Sequence, residues 1–411
     1  MNMKNCIGRC SLMKHDPLFE QAFEVMQRIE EAGGEAYIAG GAVRDHVSGR
    51  AVGDIDIASS LPPSKIQEIF EKVIPVGIEH GTVIVRHRST SYEVTTFRTE
   101  SGYEDYRHPD EVTFVSDIRT DLARRDFTMN AMAMDRHGRI IDPFDGRKAI
   151  KHKQIRAVGN PYDRFQEDPL RMMRAVRFSS QLCFEVTGTT KEALVKQASL
   201  LANISMERVA EETRKTFAGQ GIKNALGLLD ETGLFHQLPF LEGMGLQKNP
   251  PLSPLKSWPE IAVFLCLQDS SFSVSAFLKT WKRSNQEKRE TDQLKEAMNL
   301  YTDADDVTSW LAYCLPESLY SSFDRVTEAA GMDRGIKERL LDRKHHLPIC
   351  DRKDLEFESV DLIALHPDKR KGPWISETMK AVERRVVEGV LENDYEKIKE
   401  WVITWNPPGN I

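Results

Sequence analysis

Two carboxylates one residue apart, Asp54 and Asp56, follow closely on the run Gly40-Gly41-Ala42-Val43-Arg44-Asp45. In an extended strand alternate side chains face the same way, so the spacing predicts that Asp54 and Asp56 project together. Two convergent carboxylates can hold Mg²⁺, which prefers hard oxygen ligands and also binds triphosphate oxygens. A pair of such ions stabilises both the attacking and the leaving oxygen of an in-line phosphoryl displacement. The glycine pair lets the backbone come close to a triphosphate, because no Cβ stands in the way. Separately, each feature also fits an ordinary turn or a solvated strand. Together they point to nucleotidyl transfer.

Three further segments bear on that chemistry. In Arg124-Arg125-Asp126-Phe127-Thr128-Met129-Asn130, adjacent arginines can grip triphosphate or ribose groups. Solvated arginines at a helix start are the alternative. In Glu167-Asp168-Pro169-Leu170-Arg171-Met172-Met173-Arg174-Ala175-Val176-Arg177-Phe178, Met172, Met173 and Val176 form an apolar stripe at helical spacing. Asp168, Arg171 and Arg174 fall on the other arc, with Arg177 at its margin. An acid and an arginine three residues apart present acceptors and a donor fork to the edge of a base, while a further arginine binds phosphate. Asp168 before Pro169 also reads as a helix N-cap, and one carboxylate cannot make both contacts fully. Glu93, mid-strand in Tyr92-Glu93-Val94, is either a third carboxylate near the metals or a solvated strand residue. The polar, aromatic segment Gly102 to Pro109 reads as a loop over the site or as a surface connection.

These residues need a frame. Apolar spacing predicts a helix from Pro17 to Gly33, then a strand at Ala36–Ala39 leading into the glycine turn. Further strands are expected at Asp54–Ala58, Thr82–Arg86, Tyr92–Phe97, Thr113–Val115, Met132–Asp135 and Ile140–Asp142, with a helix from Pro62 to about Lys72. A mixed sheet with packed helices fits the first 150 residues. Beyond Lys153 the pattern turns helical: Asp168–Leu182, Thr190–Leu201, Ser205–Ala218, Lys223–Thr232 and onward. Gly243 to Pro259 reads as a long loop or linker.

At 411 residues the chain is long enough for several domains. It has no apolar run of membrane-spanning length, and Met1 to Asp16 lacks the apolar core of a secretory signal. This leader is expected to be frayed, and Met3 and Met13 leave a later translation start open. Six scattered cysteines offer no paired zinc motif and fit reduced thiols in the cytoplasm. A net charge of −7 excludes a uniformly basic nucleic-acid binder but leaves room for a local basic face. Lys279, Lys282, Arg283, Lys288, Arg289, Lys369-Arg370-Lys371 and Arg384-Arg385, with Trp281, Trp374 and Trp401 near some of them, would suit an RNA backbone. Solvated helix faces and core tryptophans are the ordinary reading of most of these.

The four segments, in order and spacing over about residues 35 to 220, make the chain resemble the class II tRNA nucleotidyltransferase and bacterial poly(A) polymerase family, most closely its CCA-adding branch. The resemblance implies an α+β fold: a nucleotidyltransferase head of mixed β-sheet with helices (1–150), then an all-α neck (151–220), body (221–315) and tRNA-binding tail (316–411), shaped like a seahorse. It implies Mg²⁺-dependent, template-independent addition of C, C and A to the 3′ end of tRNA from CTP and ATP. By motif, Asp54 and Asp56 would bind the metals, and Gly41, Arg44 and Arg125 the nucleotide. Asp168 and Arg171 would pair with the base, and Arg174 and Arg177 would complete the pocket. Alternatives on the same head are a poly(A) polymerase or an enzyme adding only C or only A. From another class, a non-catalytic RNA-binding protein is the alternative, and intact Asp54, Asp56 and Arg125 count against it. The sequence gives no oligomeric state, so a homodimer stays open.

Overall fold

The structure, a computed structural model, describes residues 17–405 except 103–105 and 107–109. The expected leader and most of the Gly102–Pro109 loop therefore lie outside the described residues. The chain forms two compact units, one ending at Lys248 and the other beginning at Asn249.

The first unit is built on a seven-stranded mixed sheet. Its strands are β1 (Ala36–Ala39), β2 (Asp56–Ser59), β3 (Val73–Pro75), β4 (Thr82–His87) and β5 (Thr90–Thr96), then β8 (Ala133–Met134) and β9 (Ile140–Ile141) after the separate hairpin β6 (Arg98–Ser101) and β7 (Glu111–Phe114). The spatial order is β3-β4-β5-β2-β1-β8-β9. β2 runs antiparallel to β1 and parallel to β5, and β4 runs antiparallel to β5. Alternation in β5 puts Tyr92, Val94 and Thr96 in the core and leaves Glu93 on the open side. The helix Pro17–Glu31 packs Phe19, Ala22, Val25, Met26 and Ile29 inward, the helical spacing that its sequence shows.

One expected strand begins later than its sequence suggests. β2 starts at Asp56, not Asp54, because β1 ends at Ala39 and Gly40 turns away with φ 77°. Residues 51–55 thus have no antiparallel partner to extend the ladder, and Asp54 lies in the loop entering β2.

Helices cover the rest of the unit. Leu170–Leu182 buries Met172, Met173, Ala175 and Val176 completely, and it packs against Met206–Phe217 and Ile222–Glu231. A Cβ on Gly219 would lie 2.6 Å from the backbone carbon of Ser180, so the turn after Met206–Phe217 needs that glycine to sit close to its neighbour helix.

The second unit is helical. The boundary between the units falls inside the expected loop from Gly243 to Pro259, which carries no helix or strand until Ser257 caps a buried helix, Trp258–Gln268. Trp258 and Trp281 are fully buried with ring centroids 4.8 Å apart, so Trp281 is a core residue. A second cluster gathers Trp310, Phe357, Leu362, Val382, Val386 and Ile398. On its margin lie cation–aromatic pairs, Lys369 over Trp374 at 4.6 Å and Arg385 over Trp401 at 5.2 Å. Cys183, Cys266, Cys314 and Cys350 are free thiols, and no helix among the described residues is long and apolar enough to cross a membrane.

Candidate active site

A cavity of about 750 Å³ in the first unit gathers Gly40, Gly41, Arg44, Asp54, Asp56, Arg125, Asp168, Arg171, Arg174 and Arg177. Every residue given a catalytic or nucleotide-binding role from the sequence lines it except Glu93. Glu93 faces an adjoining cavity of about 220 Å³ together with Asp56.

The acidic end follows from the sheet. Parallel pairing of β2 with β5 sets Asp56 level with Glu93 on neighbouring strands, and Asp54 approaches from the loop. The two aspartates meet through that loop rather than by strand alternation. Recession into the cavity, then the charges of Glu93 and Asp54, push the Asp56 carboxyl up to about 6, with Arg125 pulling the other way. Asp56 keeps contact with solvent, so it is recessed rather than sealed. Crowded hard oxygens with a raised proton affinity are a donor set suited to a divalent cation. Among the described residues no three His, Cys, Asp or Glu side chains form a ligand cluster. A divalent cation that takes only one or two carboxylates and fills its shell with water and phosphate oxygens fits so small a set.

The cationic wall is held by neighbouring acids. Arg44 donates from Nε and Nη2 to Asp45 at 2.9 and 2.8 Å and from Nη1 to Asn130 at 2.8 Å. Arg125 lies beside Asp121 at 3.5 Å, and burial lowers its pKa against the opposing pull of Asp121. Its Nε has no hydrogen-bond partner among the described residues. The helix Gly41–Ser48 starts without a side-chain cap at Gly40, leaving its first N–H groups at the cavity.

Gly40 is the residue that permits this approach. Its φ of 77° and ψ of −126° belong to a region that L-residues rarely enter, and an added Cβ would sit 2.5 Å from Arg125 Nη1. Gly40→Ala is expected to cost about 1–3 kcal/mol and to displace Arg125. Thermal melts and nucleotide titration check this, and an unchanged KM for both nucleotides would contradict it.

Asp126 organises the far wall. It accepts Arg174 Nε at 2.7 Å, Asn130 Nδ2 at 3.0 Å and its neighbour Phe127 N–H at 2.7 Å. Burial alone would raise its pKa, but Arg174 and Asn130 outweigh it and hold the carboxyl at about 2. Because this lies below the unfolded value of 3.8, the stabilisation is complete above about pH 4 and is lost as pH falls towards 2. It amounts to roughly 2 kcal/mol. Asp126→Asn should melt well below the wild-type chain near neutral pH, and the gap should close on acidification. A gap independent of pH would refute the assignment.

Asp168 and Arg171 both line the cavity, yet neither bonds the other. Asp168 Oδ1 accepts the Leu170 N–H at 3.1 Å, the capping contact expected from its sequence, and Oδ2 accepts Arg208 Nη2 at 3.0 Å. Arg171 donates to Glu167 Oε2 at 2.7 Å and to the carbonyls of Arg164 and Arg124 at 3.3 and 3.1 Å. Arg177 bonds Glu212 at 3.1 Å, and burial lowers its pKa against the pull of Glu212.

Sequence reasoning missed Phe178, Arg208 and Glu212. The Phe178 ring lies under three cavity cations, 4.4 Å from Arg177, 5.2 Å from Arg44 and 5.4 Å from Arg174. Its place directly after Arg177, in a helix that also carries Arg171 and Arg174, could have flagged it. Arg208 and Glu212 carry no local signal, since Glu and Arg on a helix are commonplace.

Comparison with known proteins gives three family matches in chain order. The poly A polymerase head domain matches residues 36–156, the probable RNA and SrmB-binding site of polymerase A 183–244, and the putative tRNA nucleotidyltransferase domain 2 256–402. The CCA-adding enzyme of Anoxybacillus flavithermus is 41% identical, covering 94% of this chain and 97% of its own. That of Geobacillus stearothermophilus is 40% identical, covering 95% and 98%. The crystal structure of the Bacillus stearothermophilus CCA-adding enzyme in complex with CTP matches with a TM-score of 0.84 at 40% identity, over 94% of this chain and 97% of that one.

Proposed function

The chain belongs to the CCA-adding enzyme family of tRNA nucleotidyltransferases, and from that premise we propose that it adds C, C and A to the 3′ end of tRNA, using CTP and ATP. The observation that carries this reading is one cavity in which the carboxylates, the glycine turn, the phosphate-gripping arginines and the Asp168/Arg171 wall meet.

Asp54 and Asp56 would hold Mg²⁺, with Glu93 beside Asp56. When bound there, Mg²⁺ supplies charge neutralisation for the attacking 3′ hydroxyl and the departing pyrophosphate. The chain's own groups do the rest. Gly40 and Gly41 admit the triphosphate against the N–H groups of the Gly41–Ser48 helix, and Arg44 and Arg125 neutralise it. Arg44 arrives already oriented by Asp45 and Asn130, so less rotamer entropy is lost on binding. Asp168 offers an acceptor and Arg171 a donor to the edge of the base, which leaves the edge of U or G mismatched. Arg174 and Arg177 close the pocket. In the second unit, Lys369 with Trp374 and Arg385 with Trp401 offer charge and stacking surface to tRNA. Free thiols suit the cytoplasm as the working compartment.

The test is incorporation of CTP and ATP, singly and together with Mg²⁺, into tRNAs ending before the CCA, after C and after CC. Two C and then one A, followed by a stop, is the expected result. Unlimited A on any RNA, or addition of one nucleotide only, would replace this reading with that of a poly(A) polymerase or a specialised relative.

A further inference from the structure

The base-facing wall is gripped from behind by one helix. Met206–Phe217 carries Arg208 and Glu212 four residues apart, and hence on one face. Arg208 holds Asp168, and Glu212 holds Arg177. The Arg208–Asp168 pair is not sealed: the two side chains are 22% and 17% exposed, and both line the cavity.

A carboxylate offers about four lone-pair positions, and Asp168 spends one on the Leu170 N–H and one on Arg208. The bond to Leu170 alone would leave the carboxylate plane free to pivot, because the terminal torsion of Asp is broad. A second anchor on the other oxygen removes that freedom. We propose that Arg208 is a positioning residue for base choice: it fixes the Asp168 carboxylate so that its remaining acceptor edge faces the cavity. That edge takes an N–H from the exocyclic amino group of C or A and repels the keto oxygen that U or G presents there. Arg208 acts through Asp168, so this inference rests on the reading of Asp168 as the acceptor for the base.

The experiment measures kcat and KM for CTP and for UTP on tRNA lacking CCA, with Arg208→Gln, Arg208→Lys and Asp168→Asn beside the unmodified enzyme. Arg208→Gln is expected to lower discrimination against UTP about tenfold, with a much smaller change in KM for CTP. Arg208→Lys keeps the charge without the fork and should lower it about threefold. It carries the test should the Gln variant fail to fold. A purely structural role would slow both nucleotides in parallel and leave their ratio unchanged, which overturns the proposal. Wild-type discrimination in both Arg208 variants, with Asp168→Asn blurred, overturns it while sparing the reading of Asp168. Wild-type discrimination in all three overturns both.

Discussion

Asp54→Ala or Asp56→Ala should abolish incorporation of CTP and of ATP alike, by about 10³-fold or more, and leave tRNA affinity nearly intact. The other acids of the cavity, Asp126 and Asp168, are already engaged by Arg174 and Arg208, so neither takes over for Asp54 or Asp56. Both nucleotides fail together because the phosphate chemistry is common to them. The Asp56 variant also separates catalysis from folding. Asp56 is recessed and faces Glu93 and Asp54, and burial with these charges pushes its carboxyl up to about 6. Its charge therefore works against the folded state, and Asp56→Ala should melt no lower than the wild-type chain when metal is removed. Activity lost with stability kept is the expected pair of results from a primer-extension assay and a thermal melt with chelator. Retained turnover in either variant would refute the metal assignment.

Arg171→Ala should blur base choice more than it weakens tRNA binding, with discrimination against UTP falling about tenfold or more. This variant differs from the first in its structural cost. The Arg171 side chain is nearly buried and satisfies Glu167 and two backbone carbonyls. Truncation strips the Arg124 carbonyl of this donor, while Glu167 keeps Arg164 and the Arg164 carbonyl keeps the Asp168 N–H, at about 1–3 kcal/mol of stability. Measurements belong well below the variant's melting temperature, and the CTP to UTP ratio of kcat/KM is the quantity to read. Arg171→Lys is the companion, because an ammonium cannot span the same three acceptors. A folded Arg171→Ala enzyme with full discrimination against UTP would remove Arg171 from the base-selecting role.

Much of the site was legible from local chemistry. Gly40 marks a turn that a side chain would spoil, by its conformation and its closeness to Arg125, whereas a Cβ on Gly41 would meet only Arg44 at ordinary contact distance. Met172, Met173 and Val176 declared the buried face of the Leu170–Leu182 helix by spacing alone. Strand alternation placed Glu93 opposite in facing to Tyr92 and Val94. The cap at Asp168 followed from the proline after it.

Other features were decided only by packing. Whether Asp54 continues the strand depends on where β1 stops, so two carboxylates spaced for a strand meet through a loop instead. That Glu93 stands beside Asp56 depends on parallel register between β2 and β5, which no local period encodes. Asp126 reaches Arg174 across 48 residues and Arg208 reaches Asp168 across 40. Residue type and spacing determine which groups are present, which face of an element they occupy and what chemistry they can perform. Which acid holds which arginine is set when helices and strands distant in sequence dock, because ion pairs and hydrogen bonds act over a few ångströms in space and have no memory of separation along the chain.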